Sequence, residues 1–514
     1  MIVPLTLTDF LERAETVYGD RVAVVDEPNP PGGGLGRFTY RAFGDMARSL
    51  AAALDDLGLA ENDRVAIVSP NAARFLVSLF GVSVFGRILV PINFRLNAEE
   101  IRYIVEHSGA SVLLVDPELD ATLRDITVEH RIVLGAATDA QLFLRAGARP
   151  RLAVTDENAT ASINYTSGTT ARPKGVQLTH RNFWLDAVTF GWHLALTDRD
   201  VYLHTLPTFH CNGWGMPYAV TAMGIRQVII RKIDGEEILS RIGAEGVTIM
   251  NCAPTVLAAV LDAAAARRQR GEAVPGRGRM RVVVAGAPPP SKLIERVETE
   301  LGWEFIQIYG LTETAPLLTV NRAPAEWDAL DPGERSRRLS RAGVPAVGVR
   351  IEVDAQGEVL ARSNHVFEGY WNQPEESAKA IVDGWFHTGD GGYQEDGYLV
   401  ISDRKKDVII TGGENVSSIE VEDCLFQHPA VAEVAVIGVP DEKWGETIKA
   451  LVVLRPGATA TERDLIEHCR GRMAHYKCPT SVELRPALER TATGKVQKFK
   501  LREPYWAGRT RRVN

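Results

Sequence analysis

Along the first third of the chain, short unbroken apolar runs alternate with longer stretches in which apolar positions recur every three or four residues. The runs RVAIVS (64–69), RILVPI (87–92) and ASVLLVD (110–116) predict buried strands, and the periodic segments at 40–59 and 97–109 predict amphipathic helices. Such alternation implies an α/β architecture with a largely parallel sheet. The pattern returns at VYLHTLP (201–207), RQVIIRK (226–232), VTIMNCAP (247–254), MRVVVAGA (280–287) and EFIQIYG (304–310). A sheet of that extent holds ligands at the carboxyl ends of its strands. The most apolar stretch, Phe75 to Gly86, stops at Arg87, short of the roughly 18–20 residues a bilayer requires, so membrane insertion is not expected. Past residue 390 the rhythm breaks. Gly389, Gly391, Gly392 and Gly397 surround what reads as two short strands, and the charged run DRKKD (403–407) follows.

Composition narrows the class. With 45% hydrophobic and 24% charged residues the 514-residue chain is globular rather than disordered, and it is long enough for at least two cores. The net charge of −8 excludes a chain-wide nucleic-acid surface or a polybasic anchor. That charge is uneven. Residues 404–514 hold 19 Lys+Arg against 15 Asp+Glu, a net of +4, which leaves −12 for residues 1–403. The five cysteines, Cys211, Cys252, Cys424, Cys469 and Cys478, form no C-x-x-C pair. Neither a disulfide framework nor a zinc site is expected, and a cytoplasmic location is. The start, MIVPLTLTDFLERAE, lacks the basic leader of a secretory signal.

Candidate chemistry concentrates in INYTSGTTARPKGVQLTH (163–180). Thr166, Ser167, Gly168, Thr169 and Thr170 place four hydroxyls around one glycine after a strand, and Lys174 follows. Converging backbone N–H groups, hydroxyl donors and a lysine make a phosphate cradle, although the Walker spacing cannot be laid over it. YGLTET (309–314) offers Glu313 as a hard oxygen donor suited to Mg²⁺ beside phosphates. DGWFHTGD (383–390) ends on Asp390, which suits a ribose hydroxyl. Ser417 to Glu420 has the spacing of a helix capping box, and RTATGKVQK (490–498) places Lys495 after a small turn.

YTSGTTARPKGV, YGLTET, GWFHTGD, DRKKDVIITGGENV and RTATGKVQK, in this order and at these separations, resemble the signature set of the adenylate-forming superfamily, in particular its acyl-CoA synthetases. VPINFRL (90–96), LPTFHCNGW (206–214), APTVL (253–257), GAPPP (286–290) and GVPDEKWGE (438–446) resemble further segments of that family, so the similarity spans nearly the whole chain. It implies a large N-terminal domain of stacked α/β subdomains (1–402), a hinge (403–408) with its pivot at Lys406, and a small, mobile α+β C-terminal domain (409–514). It also implies an enzyme that activates a carboxylic acid with ATP and Mg²⁺, releases pyrophosphate, and transfers the acyl group from AMP to coenzyme A.

Carried over residue by residue, the resemblance gives the 166–174 loop the triphosphate, Thr312 the α-phosphate and Glu313 the Mg²⁺ ion. Tyr309 would flank adenine, with Gly286 and Ala287 opposite, and Gly310 would border both nucleotide and acyl group. Asp390 and Arg404 would hold the ribose, and Lys495 would bridge the substrate carboxylate and α-phosphate. His210 would stand where the acyl tunnel meets the adenylate, with Trp214 and Gly310 in the pocket wall, while Gly412 and Gly413 would let the pantetheine arm pass. The family usually has an aliphatic residue at Gly391, so a looser ribose-binding turn is expected. The substrate expected is an apolar acid, fatty or bulky, with no tightly bound organic cofactor and no nucleic-acid partner, and a homodimer is compatible with the sequence. The alternative is a partial-reaction ligase or acyl-adenylate-binding protein that takes a pre-formed adenylate. An amino acid adenylation domain would need a downstream carrier domain, and a luciferase-type oxygenase shares the motifs.

Overall fold

The computed structural model describes residues 1–166, 172–404, 407–411, 414–441, 443–491 and 495–507, with Arg404 described by its backbone alone. Among the described residues the chain builds four sheets. In the largest, the strands Glu304–Gly310, Arg281–Val284, Ile249–Cys252, Val201–His204, Arg226–Ile229 and Val22–Val25 run side by side and parallel. A second sheet is parallel through Thr160–Thr166, Ile88–Ile92, Arg64–Val68, Ala110–Val115 and His130–Val133. The runs read as buried strands are buried almost throughout, because parallel strands covered on both faces leave no side for water.

Helix ends follow the local chemistry. Asn97 caps Ala98–Ser108 in a capping box with Glu100, and Ser417 accepts from the Glu420 amide at the start of Ser418–Phe426. The helix expected over 40–59 runs Tyr40–Asp56 and buries a continuous apolar face.

The glycine-rich segment past residue 384 differs from the expectation. Trp385–Glu395 is one strand of eleven residues, paired with Glu358–Arg362 and with Tyr398–Arg404. Its register shifts between Gly391 and Gly392. A Cβ on Gly392 would lie 2.7 Å from the Val400 carbonyl oxygen, and one on Gly391 3.2 Å from that of Asp403. These glycines therefore let two backbones approach rather than ending a strand. From Ile409 onward the chain forms its own sheet, with a core that includes Val421, Leu425, Val436, Val452 and Leu465. The whole is a mixed α/β molecule with a large multi-sheet N-terminal part and a smaller C-terminal one.

Candidate active site

Three of the motifs meet because of strand order. Glu304–Gly310, Arg281–Val284, Ile249–Cys252 and Val201–His204 are adjacent and parallel, so the segments leaving their carboxyl ends share one edge of the sheet. Tyr309 to Thr312 leaves the first, Gly286 and Ala287 the second, and the His210 to Trp214 turn the last.

That turn is unusual. Cys211, Asn212, Gly213, Trp214 and Gly215 have φ of 40, 43, 64, 60 and 69°, five left-handed residues in succession. Each non-glycine residue in that conformation costs about 1–2 kcal/mol, so the turn needs anchoring. The fully buried Asn212 side chain accepts from the Ser162 hydroxyl at 3.1 Å and donates to the Tyr218 hydroxyl at 3.0 Å. The Cys211 thiol faces the Thr312 carbonyl at 3.8 Å, which joins this turn to YGLTET. Trp214 is buried in the main core. His210 is half-buried, and desolvation, then the positive charge of Lys495, pushes its pKa down to about 4. The imidazole is neutral at physiological pH.

Lys495 is brought to the same place from the far end of the chain. Arg490 and Val496 form an antiparallel bridge that closes a turn, and the Thr491 side chain accepts from the Lys495 amide at 3.1 Å. The Lys495 Cε lies 3.9 Å from where a Cβ on Gly286 would stand, and Gly286 has φ of 90°, so a side chain there would be strained as well as in contact with the lysine.

Thr166 and Lys174, which flank the expected phosphate loop, are linked to Glu313 through the segment 367–370, which the sequence reading passed over. Thr166 and Lys174 are cross-strand partners, so they mark the two ends of the loop; Ser167, Gly168, Thr169 and Thr170 lie outside the described residues. Gly369–Tyr370 adds a strand to Lys174–Thr179, and the Phe367 amide donates to the Glu313 carbonyl at 2.8 Å. The Tyr370 hydroxyl then donates to Glu313 Oε1 at 3.0 Å. Burial, then the Glu313 charge, pushes the Tyr370 phenol far above its ordinary value, so it remains a donor. The ammonium of Lys174 stands 4.7 Å from the Tyr370 ring centre and pairs with Glu376 at 2.6 Å. Lys174 and Lys379 hold the Glu376 carboxyl down at about 2. The signal for Tyr370 and Glu376 was GYWNQPEES (369–377), an aromatic and acidic run following a strand.

On the other side, Tyr309 donates to Asp390 Oδ2 at 2.8 Å, and Asp390 is buried. Asp390 and Arg404 are Cα partners in the hairpin; the Arg404 side chain, like Lys406, Gly412 and Gly413, lies outside the described residues. Gly310 packs against its own return strand, since a Cβ there would stand 1.6 Å from the Pro316 carbonyl oxygen. That requirement holds whatever ligand lies beyond it. A surface cleft of about 530 Å³ lined by Arg279, Glu298, Trp303 and Arg335 contains none of these groups.

The description "AMP-binding enzyme" matches residues 11–371, and "AMP-binding enzyme C-terminal domain" matches residues 420–495. The chain belongs to the AMP-binding enzyme family. It is an acid–thiol ligase of the AMP-forming kind, and no helix among its described residues is long and apolar enough to cross a membrane. It is 37% identical over 530 residues to 4-hydroxybutyrate–CoA ligase 2 of Metallosphaera sedula, covering 97% of this chain and 94% of that one. It is 36% identical over 555 residues to 2-methylpropanoate–CoA ligase CCL4 of Humulus lupulus, covering 97% and 95%. Its fold superposes on the anthranilate CoA ligase AuaEII, solved with anthranoyl-AMP, with a TM-score of 0.87, 28% identity and 98% of each chain covered.

The edge that carries Glu313, Thr312, His210 and Gly286 is also the one that Lys495 approaches. It has a cation on a mobile stem, a neutral imidazole and a half-buried carboxylate. Among the described residues no group of three or more His, Cys, Asp or Glu side chains could hold a metal. A single carboxylate held by Tyr370 fits Mg²⁺, which keeps waters and substrate oxygens as its remaining ligands.

Proposed function

We propose that the protein is an ATP- and Mg²⁺-dependent ligase that joins an apolar carboxylic acid to coenzyme A in two half-reactions. First, a carboxylate oxygen bonds to the α-phosphorus of ATP, the bond to the bridging oxygen breaks, and pyrophosphate leaves. Then the thiol of coenzyme A bonds to the acyl carbon, AMP leaves with the bonding pair, and the thiol proton passes to water.

The chain's own groups suit both steps. Lys495 neutralises charge between carboxylate and α-phosphate, as a compact point charge on a long stem does well. His210, neutral, adds no second cation that would compete for the carboxylate. Thr312 meets the α-phosphate, Tyr309 covers the adenine, and Asp390 holds the ribose with Arg404. Glu313, aimed by Tyr370, would bind Mg²⁺, which supplies charge neutralisation to the departing pyrophosphate. Thr166, Lys174 and the loop between them bind the triphosphate. Residues 403–408 act as the hinge about Lys406, and the C-terminal part turns to present Gly412 and Gly413 to the pantetheine arm.

The observation that carries this reading is the approach of Lys495 to Gly286 and His210, three residues far apart in sequence that only adenylation requires together. An apolar acid is supported by Phe209, buried beside His210 with its ring edge-on to Phe94 at 5.8 Å, and by the butyrate and 2-methylpropanoate in the names of two relatives. All five cysteines are buried and free, which supports a reducing, cytoplasmic setting. Incubation with ATP, Mg²⁺, coenzyme A and a panel of butyrate, 2-methylpropanoate, benzoate and 4-hydroxybutyrate should yield acyl-CoA and AMP, fastest with the apolar acids. ADP in place of AMP, or turnover of the hydroxy acid alone, contradicts the proposal.

A further inference from the structure

Lys495 reaches Gly286 only while the C-terminal part sits in one orientation against the rest, so the contacts that hold this orientation control the first half-reaction. One contact stands out because it joins residues 132 positions apart. The short helix Ser291–Arg296 begins after Pro290, which offers no side-chain cap. Its cap comes from across the molecule. Asp423, on the helix Ser418–Phe426, accepts from the Ser291 amide at 2.9 Å and from the Ser291 hydroxyl at 3.2 and 3.3 Å. Gln427 donates to the same carboxylate at 3.3 Å. A carboxylate at a helix start satisfies an orphan donor and meets the positive end of the peptide dipoles.

Two further observations place this cap in the path from orientation to chemistry. Phe426, at the end of the same helix as Asp423, packs against the core that contains Met250, Leu293 and Phe305, so an apolar contact lies beside the polar one. Ser291 starts its helix five residues after Gly286, the residue that Lys495 approaches, so the cap steadies the end of the segment on which the lysine lands. A second tie, in which Asp403 in the expected hinge accepts from the Ser418 amide at 3.0 Å, sits next to the pivot itself. A contact there moves little on rotation, whereas the Asp423–Ser291 contact must open.

We propose that Asp423 is a positioning residue, which by capping Ser291 holds the C-terminal part in the orientation that delivers Lys495 and so sets the fraction of protein competent for adenylation. The inference rests on the two-step ligase reading. It requires that Asp423 favour one orientation over the other, since a contact equal in both shifts nothing.

Half-reactions measured separately give the test. Asp423→Ala should slow acid-dependent exchange of pyrophosphate into ATP by a few-fold up to about tenfold, the ceiling when about 1.4 kcal/mol is withdrawn from one of two orientations. Its conversion of a pre-formed acyl-adenylate and coenzyme A to acyl-CoA should be unchanged or faster. Asp423→Asn, which keeps a capping oxygen, should restore most of the exchange. A fall of both half-reactions by one factor, or no change in either, overturns the proposal. A second arm reads the contact without any turnover. With Ser291→Cys and Asp423→Cys together, oxidised glutathione should remove two thiols from the denatured count through a disulfide. The cross-linked protein should keep exchange, lose acyl transfer, and regain it on reduction. Failure to cross-link overturns the contact, whereas failure of the wild type to exchange pyrophosphate with any acid overturns the ligase reading and leaves the thiol count to judge the contact.

Discussion

Glu313, Tyr309 and His210 stand at the ends of parallel strands with the largest core behind them, and each is fixed by a neighbour: Tyr370 at 3.0 Å from Glu313, Asp390 at 2.8 Å from Tyr309, and the Asn212 anchor two residues from His210. Lys495 belongs to a different regime. It stands beside Val496, which bridges to Arg490, in a part with its own sheet and core that meets the rest through contacts such as Asp423–Ser291. The difference is that between a floor that must stay put through both half-reactions and an arm that serves one of them. On the proposed function, rigidity is concentrated where nucleotide and acid would be held, and the catalytic charge sits on the part that would leave.

Substitutions in the floor should cost stability as well as rate. Asn212→Ala removes two buried hydrogen bonds and a residue that tolerates the left-handed conformation, and should destabilise the protein by about 2–4 kcal/mol in chemical denaturation, with both half-reactions impaired. A stable variant with normal rates would show that the turn needs no anchor.

The next effect is smaller and confined to one step. Tyr370→Phe keeps the ring under Lys174 but removes the donor to Glu313, and should raise the Mg²⁺ concentration for half-maximal thermal stabilisation by MgATP about tenfold. An unchanged Mg²⁺ titration would mean that Glu313 is aimed by its other contacts. Glu376→Gln frees Lys174 from a solvent-screened ion pair, so the KM for ATP should fall by a few-fold at most. A rise would place Glu376 among the groups that hold Lys174 in its working position.

The pH dependence separates the regions without mutation. Burial and Lys495 put the His210 pKa near 4, below the value of about 6.5 it has when unfolded. The unfolded state therefore takes up the proton first as pH falls, so this group's contribution to stability is full above pH 6.5 and is lost between there and about 4. The adenylation rate should show no His210 step between pH 6 and 8. A step near 6.5 that vanishes in His210→Asn would contradict the neutral assignment.

How far the sequence carried depends on whether a feature is local. Strands 64–68, 88–92 and 110–115 were legible because unbroken apolar runs leave no other packing, and the five ordered motifs placed the site on strand ends. The long strand 385–395 was not legible, because glycines read as breaks unless the partner backbone at Val400 is known. Tyr370 and Asp423 were missed for a related reason. Their partners lie 57 and 132 residues away, and a tyrosine or an aspartate on an amphipathic element carries no mark of what it will face. Trp214, read as a pocket wall, is buried in the main core at a φ of 60°, a left-handed turn that spacing alone does not reveal.

The most direct measurement is the separation of half-reactions in Lys495→Ala. The account predicts that acid-dependent exchange of pyrophosphate into ATP falls by about 10²–10³, as when one preorganised charge donor is removed from a transition state. Formation of acyl-CoA from a pre-formed acyl-adenylate should stay within a few-fold of the wild type. Equal loss in both half-reactions, or exchange at the wild-type rate, would contradict the assignment of Lys495 to the arm that performs adenylation alone.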